Sequence, residues 1–421
     1  MSNARIFLSA GEASGDHYGA QVIAALRNSL PNAAFFGLGG REMEDAGLER
    51  VVRAEDVAHM GITEVIRHMP RVWSSYRRLV ASIKVQRPHA AVLIDFPDVN
   101  LRLARELKAL GVPVVYFVSP QLWAWKRRRL QWVQERIDRM IVIFPFEEAF
   151  YLSRGVNATF VGHPLLELPL PDSPREAYAT RHRIDAARPW VALLPGSRRK
   201  EVRSNLPTML DAARQIIPDG GVEFLLPVAS TLDVAWMRNQ TAPWTTPQAG
   251  RSAPLLTNLH LVDDAREALF HARASVVASG TATVQAAVIG NPFVVVYRVS
   301  PLTFAAARRL IRYPAEIPVT PDAHGNLPIG MVNLIAGRRI VPELIQQQFT
   351  ADNVASILGR LLEDSPEREE IITELADVRR KLLSPSHSGA ISQVAEAVLE
   401  QLSAEFGVTQ AASGRNSVPS V

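Results

Sequence analysis

The chain has 421 residues, which at roughly 100–200 residues per domain suggests two or three domains. Hydrophobic residues make up 47% and charged residues 21%, a globular composition that excludes wholesale disorder, while the absence of cysteine excludes disulfides, thiolate metal sites and cysteine nucleophiles. The net charge of +4 is too small for a nucleic-acid coat, no apolar run reaches the roughly 18 residues that span a bilayer, and the first residues do not form a secretory signal. We therefore expect a cytoplasmic protein that does not bind nucleic acid.

Short apolar runs alternate with helical patterns through the first part of the chain. The runs are Arg5–Ser9, Ala33–Gly37, Ala90–Asp95, Val112–Val118 and Met140–Phe144. Buried runs separated by helices predict a doubly wound parallel sheet. Leu168–Pro174 contains three prolines and predicts a stiff connector between domains.

The same alternation resumes beyond the connector. The runs are Trp190–Leu194, Val222–Pro227, Leu259–Val262, Ala274–Ala278 and Pro292–Arg298. We therefore predict an α/β protein with two Rossmann-like, doubly wound domains that face a central cleft. Thr241–Pro254 and Tyr313–Gly330 are predicted to be loops, and helical spacing follows in Ala351–Leu362, Glu367–Leu383 and Gly389–Phe406.

The predicted domain bounds are residues 1–168 for the first domain and 175–380 for the second. The terminal helix, 385–406, is expected to pack back on the first domain or to exchange with a second subunit, which leaves a homodimer open. Residues 407–421, small and polar, are expected to be disordered.

The first strand ends in Ser9–Asp16 and opens a helix, so small residues would let a ligand approach free N–H groups. Its glycines do not make GxGxxG, and the chain has no GxxxxGK[ST]. The alternative is a tight turn capped by Ser14 or Asp16.

Asp95 and Asp98 follow the predicted strand Ala90–Ile94, at the edge of a parallel sheet where sites usually lie. A partly desolvated aspartate there can take a proton from a hydroxyl group. For Asp98 the favoured interpretation is a cap of the next helix, but Asp95 precedes the turn and is harder to explain in that way.

Two loops of the second domain combine small residues, hydroxyls and helix starts. One is Pro195–Glu201, which carries Gly196, Ser197 and three cations, and the other is Ser279–Thr283, with Gln285 one turn later. Both follow predicted strands, so we expect them to bind an anion such as phosphate.

Two further segments mix apolar or aromatic residues with cations. Met60–Ile83 has an apolar face with interleaved arginines, which indicates either an anionic lipid surface or a helix packed on the sheet. Trp123–Trp132 is aromatic and basic, and is expected to hold a phosphate or a lipid headgroup. The chain has no HExxH motif, and His163 is interpreted as a structural residue rather than a metal ligand.

In this order these segments resemble the lipid-A-disaccharide synthases, inverting glycosyltransferases of lipid A biosynthesis. The matching motifs are SAGEASGD (Ser9–Asp16), GLGG (Gly37–Gly40), MGITEV (Met60–Val65), IDFPDVN (Ile94–Asn100), YFVSPQLWAW (Tyr116–Trp125), FPFE (Phe144–Glu147), FVGHPL (Phe160–Leu165), LLPGSR (Leu193–Arg198), SGTAT (Ser279–Thr283), VVVYR (Val294–Arg298) and NLIAGR (Asn333–Arg338). The resemblance implies a GT-B fold, UDP-2,3-diacylglucosamine as donor, 2,3-diacylglucosamine 1-phosphate (lipid X) as acceptor, and no metal or other cofactor. It also implies peripheral association of Met60–Ile83 with the inner surface of the cytoplasmic membrane.

The resemblance also implies roles for individual residues. The catalytic set is Asp95 as general base with Glu12, Arg198 and Asn333. The nucleotide-sugar set is Gly196, Ser197, Ser279, Gly280, Thr281, Gln285 and Arg298. The acceptor set is Ser14, Asp98, Trp123 and Arg127.

Several positions depart from the family pattern. Gln285 stands where glutamate usually holds the ribose, Val332 where proline is usual and Arg339 where glutamate is common, and Tyr313–Gly330 is longer than the family's connector. The alternatives are another GT-B enzyme, an epimerase or a peptidoglycan-type transferase, and a catalytically silent module that binds membrane or nucleotide.

Overall fold

The computed structural model describes residues 3–58, 62–216, 221–247, 255–386 and 388–405, with side chains for all of these except 57, 58, 62–71 and 405. It divides the chain into two compact units. The first unit is the chain up to Pro164 together with the segment from Ser384 onward, and the second is Leu165–Leu383. The predicted tail, 407–421, lies outside the described residues.

The first unit is built on a seven-stranded parallel sheet in the order β3-β2-β1-β4-β5-β6-β7. Its strands are β1 (Arg5–Ala10), β2 (Ala34–Gly39), β3 (Leu48–Arg53), β4 (Ala90–Ile94), β5 (Val114–Phe117), β6 (Arg139–Val142) and β7 (Ala158–Phe160). Its helices are α1 (Ala13–Ser29), α2 (Arg41–Asp45), α3 (Glu55–Ala58), α4 (Ile62–Gln86), α5 (Pro97–Lys108), α6 (Leu130–Arg136), α7 (Pro145–Leu152) and, from the end of the chain, α17 (Ala390–Glu405).

The second unit has a six-stranded parallel sheet in the order β10-β9-β8-β11-β12-β13. Its strands are β8 (Trp190–Leu194), β9 (Glu223–Pro227), β10 (Leu259–Val262), β11 (Ala274–Ala278), β12 (Phe293–Tyr297) and β13 (Glu343–Ile345). Its helices are α8 (Arg175–His182), α9 (Arg199–Ile216), α10 (Val234–Thr245), α11 (Ala265–His271), α12 (Thr281–Ile289), α13 (Pro301–Leu310), α14 (Met331–Ala336), α15 (Ala351–Leu362) and α16 (Pro366–Lys381). The predicted α/β class and both doubly wound sheets are confirmed.

The central strands are apolar on both faces because helices cover both sides of each sheet. β4 and β8 are buried along their whole length, which is why continuous apolar runs identify them in the sequence. β3, with the sequence LERVVR, was not predicted, because its charged residues break the apolar run and only Leu48 and Val52 are buried. β13 has three residues, too few for a pattern.

Two loop predictions have different outcomes. Tyr313–Gly330 is irregular, as predicted. The prediction for Thr241–Pro254 is wrong at its start, because α10 continues through Pro243 to Thr245. Contacts with α9 hold this last turn, where Trp244 Nε1 donates to Asp211 at 2.7 Å and Arg214 donates to the Pro243 carbonyl at 3.2 Å. Residues 248–254 lie outside the described residues.

The chain passes between the units twice, after Pro164 and after Leu383. The proline-rich connector belongs to the second unit, since Arg266 donates to the Leu168 and Pro169 carbonyls, and the division therefore falls a few residues before the predicted connector. The second passage leads to α17, which packs against α1, β4 and β5 and thus returns to the first unit.

Candidate active site

The neighbouring strands β1 and β4 bring two of the predicted catalytic carboxylates to one sheet edge. Ala10 is paired with Ile94 in parallel register, so the turns that start at Gly11 and at Asp95 leave the sheet side by side. Glu12 and Ser14 are exposed at the start of α1. The alternative in which Ser14 or Asp16 caps this helix is not what the structure shows, because Glu12 occupies the cap position and no side chain caps the helix there.

Asp16 binds the start of a different helix from the one it was predicted to cap. Its buried carboxylate accepts hydrogen bonds from the backbone N–H groups of Gly40, Glu42 and Met43, at 2.7, 3.1 and 3.2 Å. It therefore satisfies the start of α2 and ties the SAGEASGD motif to the GLGG motif.

The turn after β4 has an uncommon backbone. Asp95 and Phe96 both adopt the left-handed conformation, with φ of 46° and 47°, which is uncommon for residues with a side chain. Two side chains hold the Asp95 carbonyl: Asn100 Nδ2 donates to it at 2.7 Å and the Tyr116 hydroxyl at 2.6 Å. Asn100 is buried and in turn accepts the Ser9 hydroxyl at 2.6 Å. The sequence predicted no role for either residue, although Asn100 ends the IDFPDVN motif and Tyr116 begins YFVSPQLWAW.

The Asp95 carboxyl is half-buried at this turn. Burial, and to a lesser extent the charge of Glu12, together raise its pKa to about 6, against a hydrogen bond from the Phe96 N–H that lowers it. A carboxylate of this kind is still mostly ionised at neutral pH and is a stronger base than an ordinary aspartate.

Gly11 supports the same turn from β1. A Cβ atom at Gly11 would lie 2.4 Å from Cδ1 and 2.5 Å from Cγ of the Phe96 ring. The missing side chain thus makes room for Phe96, and with it for the strained turn that carries Asp95.

Asp98 connects this turn to the aromatic and basic segment. It does not cap α5, since Phe96 is the cap residue and Asp98 lies in the first turn. Its carboxylate instead accepts a hydrogen bond from Arg129 and lies 3.7 Å from Lys126 Nζ. Burial opposes ionisation of Asp98, but Arg129 and Lys126 outweigh it and hold the pKa below the usual value.

Trp123 is buried inside the first unit together with Ala124, whereas residues 125–132 are exposed or half-buried. Its Nε1 donates to Glu147 Oε1 at 3.0 Å, and the Ser119 hydroxyl donates to the same atom at 2.8 Å. The exposed indole is that of Trp125, with Lys126 Nζ 4.2 Å from the centre of its ring. Arg127 is exposed and donates to the Trp123 carbonyl at 3.5 Å.

Glu147 is fully buried, and burial raises its pKa to about 7 against the hydrogen bonds it accepts. His163 is also buried, 5.4 Å from the Phe144 ring between ring centres, and burial lowers its pKa to about 3. A neutral buried histidine agrees with its structural interpretation.

The two predicted anion loops follow neighbouring strands of the second unit, since Leu194 of β8 is paired with Val277 of β11. In the first loop the Ser197 and Arg198 N–H groups point to Glu201 Oε2, at 3.2 and 3.3 Å. Gly196 has φ of 118°, and a Cβ there would meet that carboxylate at 2.5 Å. The side chain of Arg198 is 70% exposed.

In the second loop the Ser279 hydroxyl donates to the Ile329 carbonyl at 3.2 Å. Gly280 and Thr281 are exposed where α12 begins, and Gln285 is half-buried one turn later. Both loops therefore have backbone and hydroxyl groups at the same edge of the second sheet.

Two other predicted site residues of this unit, Arg298 and Asn333, use their polar atoms in hydrogen bonds within the unit. Arg298 donates to the Thr208 hydroxyl at 2.8 Å and to the Phe349 carbonyl, with its guanidinium 4.5 Å from the centre of the Phe349 ring. Asn333 is buried and uses its whole amide: Nδ2 donates to the Val341 carbonyl and to Glu343, at 3.0 and 2.9 Å, and Oδ1 accepts the Ile340 and Val341 N–H groups.

The departures at Arg339 and in the loop Tyr313–Gly330 are linked. Arg339 donates to the carbonyls of Thr320 and Asn326, at 2.8 and 2.6 Å. Arg339, predicted to depart from the family pattern, therefore holds the loop that was predicted to be longer than the family's connector.

The predicted lipid-facing segment is described only in part. Met60 and Gly61, and the side chains up to residue 71, lie outside the description. In the described part of α4, Leu79 and Ile83 are buried while Trp73 is 53% exposed and stacks on Tyr76. This part both packs on the sheet and leaves an aromatic side chain at the surface.

Neither a bilayer-spanning helix nor a cluster of metal ligands is present in the described ranges. None of the helices in them is long and apolar enough to cross a bilayer. None of the described side chains forms a group of three or more histidine or acidic residues arranged to hold a metal ion.

Known proteins are similar to this chain over almost its whole length. The family model described as lipid-A-disaccharide synthetase matches residues 6–398. The lipid-A-disaccharide synthase of Acidobacterium capsulatum is 53% identical over 406 residues, covering 96% of this chain and 98% of that protein, and that of Koribacter versatilis is 47% identical, covering 94% and 98%. Among solved structures, the calicheamicin glycosyltransferase CalG4 has the same fold, with a TM-score of 0.58 at 16% identity, covering 96% of this chain and 99% of that one. The chain is therefore a GT-B glycosyltransferase and belongs to the lipid-A-disaccharide synthase family.

Proposed function

We propose that the protein transfers 2,3-diacylglucosamine from UDP-2,3-diacylglucosamine to the 6-hydroxyl group of lipid X. In this reaction Asp95 accepts the proton of the 6-hydroxyl group. The oxygen of that hydroxyl group then forms a bond to the anomeric carbon of the donor. The bond from the anomeric carbon to the UDP oxygen breaks from the other side. The products are the inverted tetra-acyl disaccharide 1-phosphate and UDP.

The observation that supports this proposal most is the state of Asp95. It is half-buried at the carboxyl edge of a parallel sheet, and its pKa of about 6 suits a base that works near neutral pH. Its backbone is fixed by Asn100 and Tyr116. Such fixing favours one direction of approach for the acceptor hydroxyl group.

For the nucleotide we propose the loops at Gly196–Arg198 and Ser279–Thr281, with Gln285 at the ribose. Diphosphate oxygens suit the Ser197 and Arg198 N–H groups, which now bind a carboxylate, and the exposed Arg198 can balance charge on departing UDP. We propose that this stabilisation needs no metal ion. Arg298 and Asn333 would act by positioning β12 and the turn before β13, because their polar atoms are bound to the protein.

We propose that Ser14, Asp98 and Arg127 bind the acceptor. The buried Trp123 would position the aromatic and basic segment that carries Arg127. The acylated substrates would be drawn from the inner surface of the cytoplasmic membrane, with the protein held there peripherally through Met60–Ile83. The exposed Trp73 supports this contact.

Release of UDP in detergent, with both proposed substrates and a chelator, tests the reaction. We expect the wild type to turn over and Asp95→Ala to lose at least about 10²-fold in kcat, the usual contribution of a general base. Asp45→Ala, which removes an exposed carboxylate of the same unit, is the matched control and should keep wild-type activity.

Three results would contradict the proposal. Folded wild type that binds UDP but releases none would favour the silent module. If activity requires an added divalent metal ion, the proposal that the reaction needs no metal is wrong. If the kcat of Asp95→Ala is within a fewfold of the kcat of Asp45→Ala, Asp95 is not the general base.

A further inference from the structure

The helix α13 (Pro301–Leu310) contributes nothing to the core of the second unit, because none of its residues is buried. Leu302 is 86% exposed and Leu310 is 66% exposed, more than any other large apolar side chain described in this unit. Local signals fix the helix all the same: Pro301 is its first residue, and the Ser300 hydroxyl accepts the Thr303 N–H at 3.2 Å.

The exposed apolar residues lie on one side of α13. Leu302, Ala305, Ala306 and Arg309 are spaced by three or four residues and share a face, with Leu310 beside Ala306. On the other side Phe304 and Arg308 line a pocket of about 470 Å³ rather than packing into the core. A helix that leaves two leucines in water has a surface suited to an apolar partner.

In the segment that carries this face, the only charged residues are positively charged. Residues 297–315 contain four arginines and no acidic residue. Arg308 and Arg309 are exposed, and neither forms an ion pair within the described part of the chain. Leucines beside the exposed Arg309, in a segment without acidic residues, match an anionic lipid surface, where leucines enter the acyl boundary and the guanidinium group reaches phosphates.

We propose that α13 is an interfacial helix that docks the second unit on an anionic membrane through Leu302 and Leu310. This contact is additional to the one proposed for Met60–Ile83, which belongs to the first unit. The two surfaces differ, because α4 buries Leu79 and Ile83 against its own sheet whereas α13 buries nothing. This inference rests on the proposed function, whose acylated substrates give each unit a reason to have its own lipid-contacting surface.

Sedimentation of the full-length protein with vesicles tests this proposal without either substrate. We expect binding to vesicles of phosphatidylcholine with about 30% phosphatidylglycerol, and weaker binding without the anionic lipid or at high salt. Leu302→Asp combined with Leu310→Asp should weaken binding on the order of tenfold. The matched control, Val234→Asp with Phe270→Asp, changes two exposed apolar residues of the same unit and should bind like the wild type.

The proposal is overturned if the α13 variant binds as tightly as the wild type, if the wild type does not bind anionic vesicles, or if the control pair loses as much. It is also overturned if the wild type dimerises at micromolar concentration and the α13 variant does not, since a second copy would then cover this face. UDP release in detergent separates the two proposals: α13 variants should keep it, and its absence in the wild type would count only against the proposed reaction.

Discussion

Two turns of the first unit each place a carboxyl group of raised pKa after a parallel strand. Asp95 follows β4 and Glu147 lies in the first turn of α7, after β6, and burial is the main cause of the raised pKa in both. They differ in the hydrogen bonds that the surrounding residues donate to the carboxylate. Glu147 accepts hydrogen bonds from Ser119, Trp123 and the Phe144 N–H, whereas side chains hold the Asp95 backbone and leave its carboxyl group at the edge of the sheet.

This difference distinguishes a structural carboxylate from a candidate base. A group whose lone pairs are already used by buried donors stabilises the segment that supplies them and has little capacity for a substrate. A group whose backbone is fixed in a strained conformation while its side chain stays accessible is arranged for chemistry. If a raised pKa were the only criterion, both Asp95 and Glu147 would be candidate bases.

The largest expected effect is on folding, at Glu147. In Glu147→Leu the Ser119, Trp123 and Phe144 donors stay buried without an acceptor, which should lower the free energy of unfolding by roughly 3 kcal/mol or more. Glu147→Gln keeps an acceptor for two of the three donors and should lose about 1 kcal/mol. Urea unfolding followed by tryptophan fluorescence measures both, and equal losses would contradict the assigned hydrogen bonds.

Glu147 also sets a direction for the pH dependence of stability. Its pKa is about 7 in the folded protein, above the ordinary 4.5, so its protonation stabilises the fold fully below pH 4.5 and this contribution is lost as the pH rises through 7. Glu147→Gln should therefore lose less stability than the wild type between pH 5 and pH 8.

A smaller effect is expected on activity, at Gly11. In Gly11→Ala the new Cβ would overlap the Phe96 ring and push the turn of Asp95 out of place, so we expect kcat to fall about tenfold or more. Phe96→Ala in the same chain should restore part of that loss. Gly359→Ala in α15, where a Cβ meets nothing, is the matched control, and a similar loss there would remove the steric explanation.

The smallest effect is on the pH profile, at Glu12. Glu12→Gln removes a negative charge that raises the Asp95 pKa, so that pKa should fall and the acid limb of kcat/KM, near pH 6 in the wild type, should move to lower pH by a fraction of a unit. Glu49→Gln makes the same charge change at an exposed site on β3 and should leave the limb in place. A shift to higher pH would contradict the proposed coupling.

The sequence predicted the elements whose signal is local. Trp190–Leu194 and Ala274–Ala278 were predicted to the residue because buried parallel strands are continuous apolar runs. Asp95 was selected because a carboxylate at a strand end has few structural explanations. β3 was not predicted because charged residues interrupt its apolar pattern.

What the sequence could not predict depends on contacts between distant residues. Asp16 binds the start of a helix 24 residues later, and Asn100 reaches Ser9 across 91 residues. Trp123 was predicted beside a ligand because aromatic residues near cations are typical of binding sites, yet it is buried against Glu147. Nothing in the local pattern distinguishes Trp123 from Trp125, which is exposed.

The return of α17 has a consequence for how the protein is synthesised. The ribosome releases the N-terminal part of a chain first, so a domain made of contiguous residues can fold before the rest emerges. Here Val394, Val398 and Leu402 of α17 are buried in the first unit, against α1, β4 and β5. β4, which leads to Asp95, therefore lacks part of its cover until the residues after the second unit have left the exit tunnel, and a chain stopped after the second unit would expose that apolar surface.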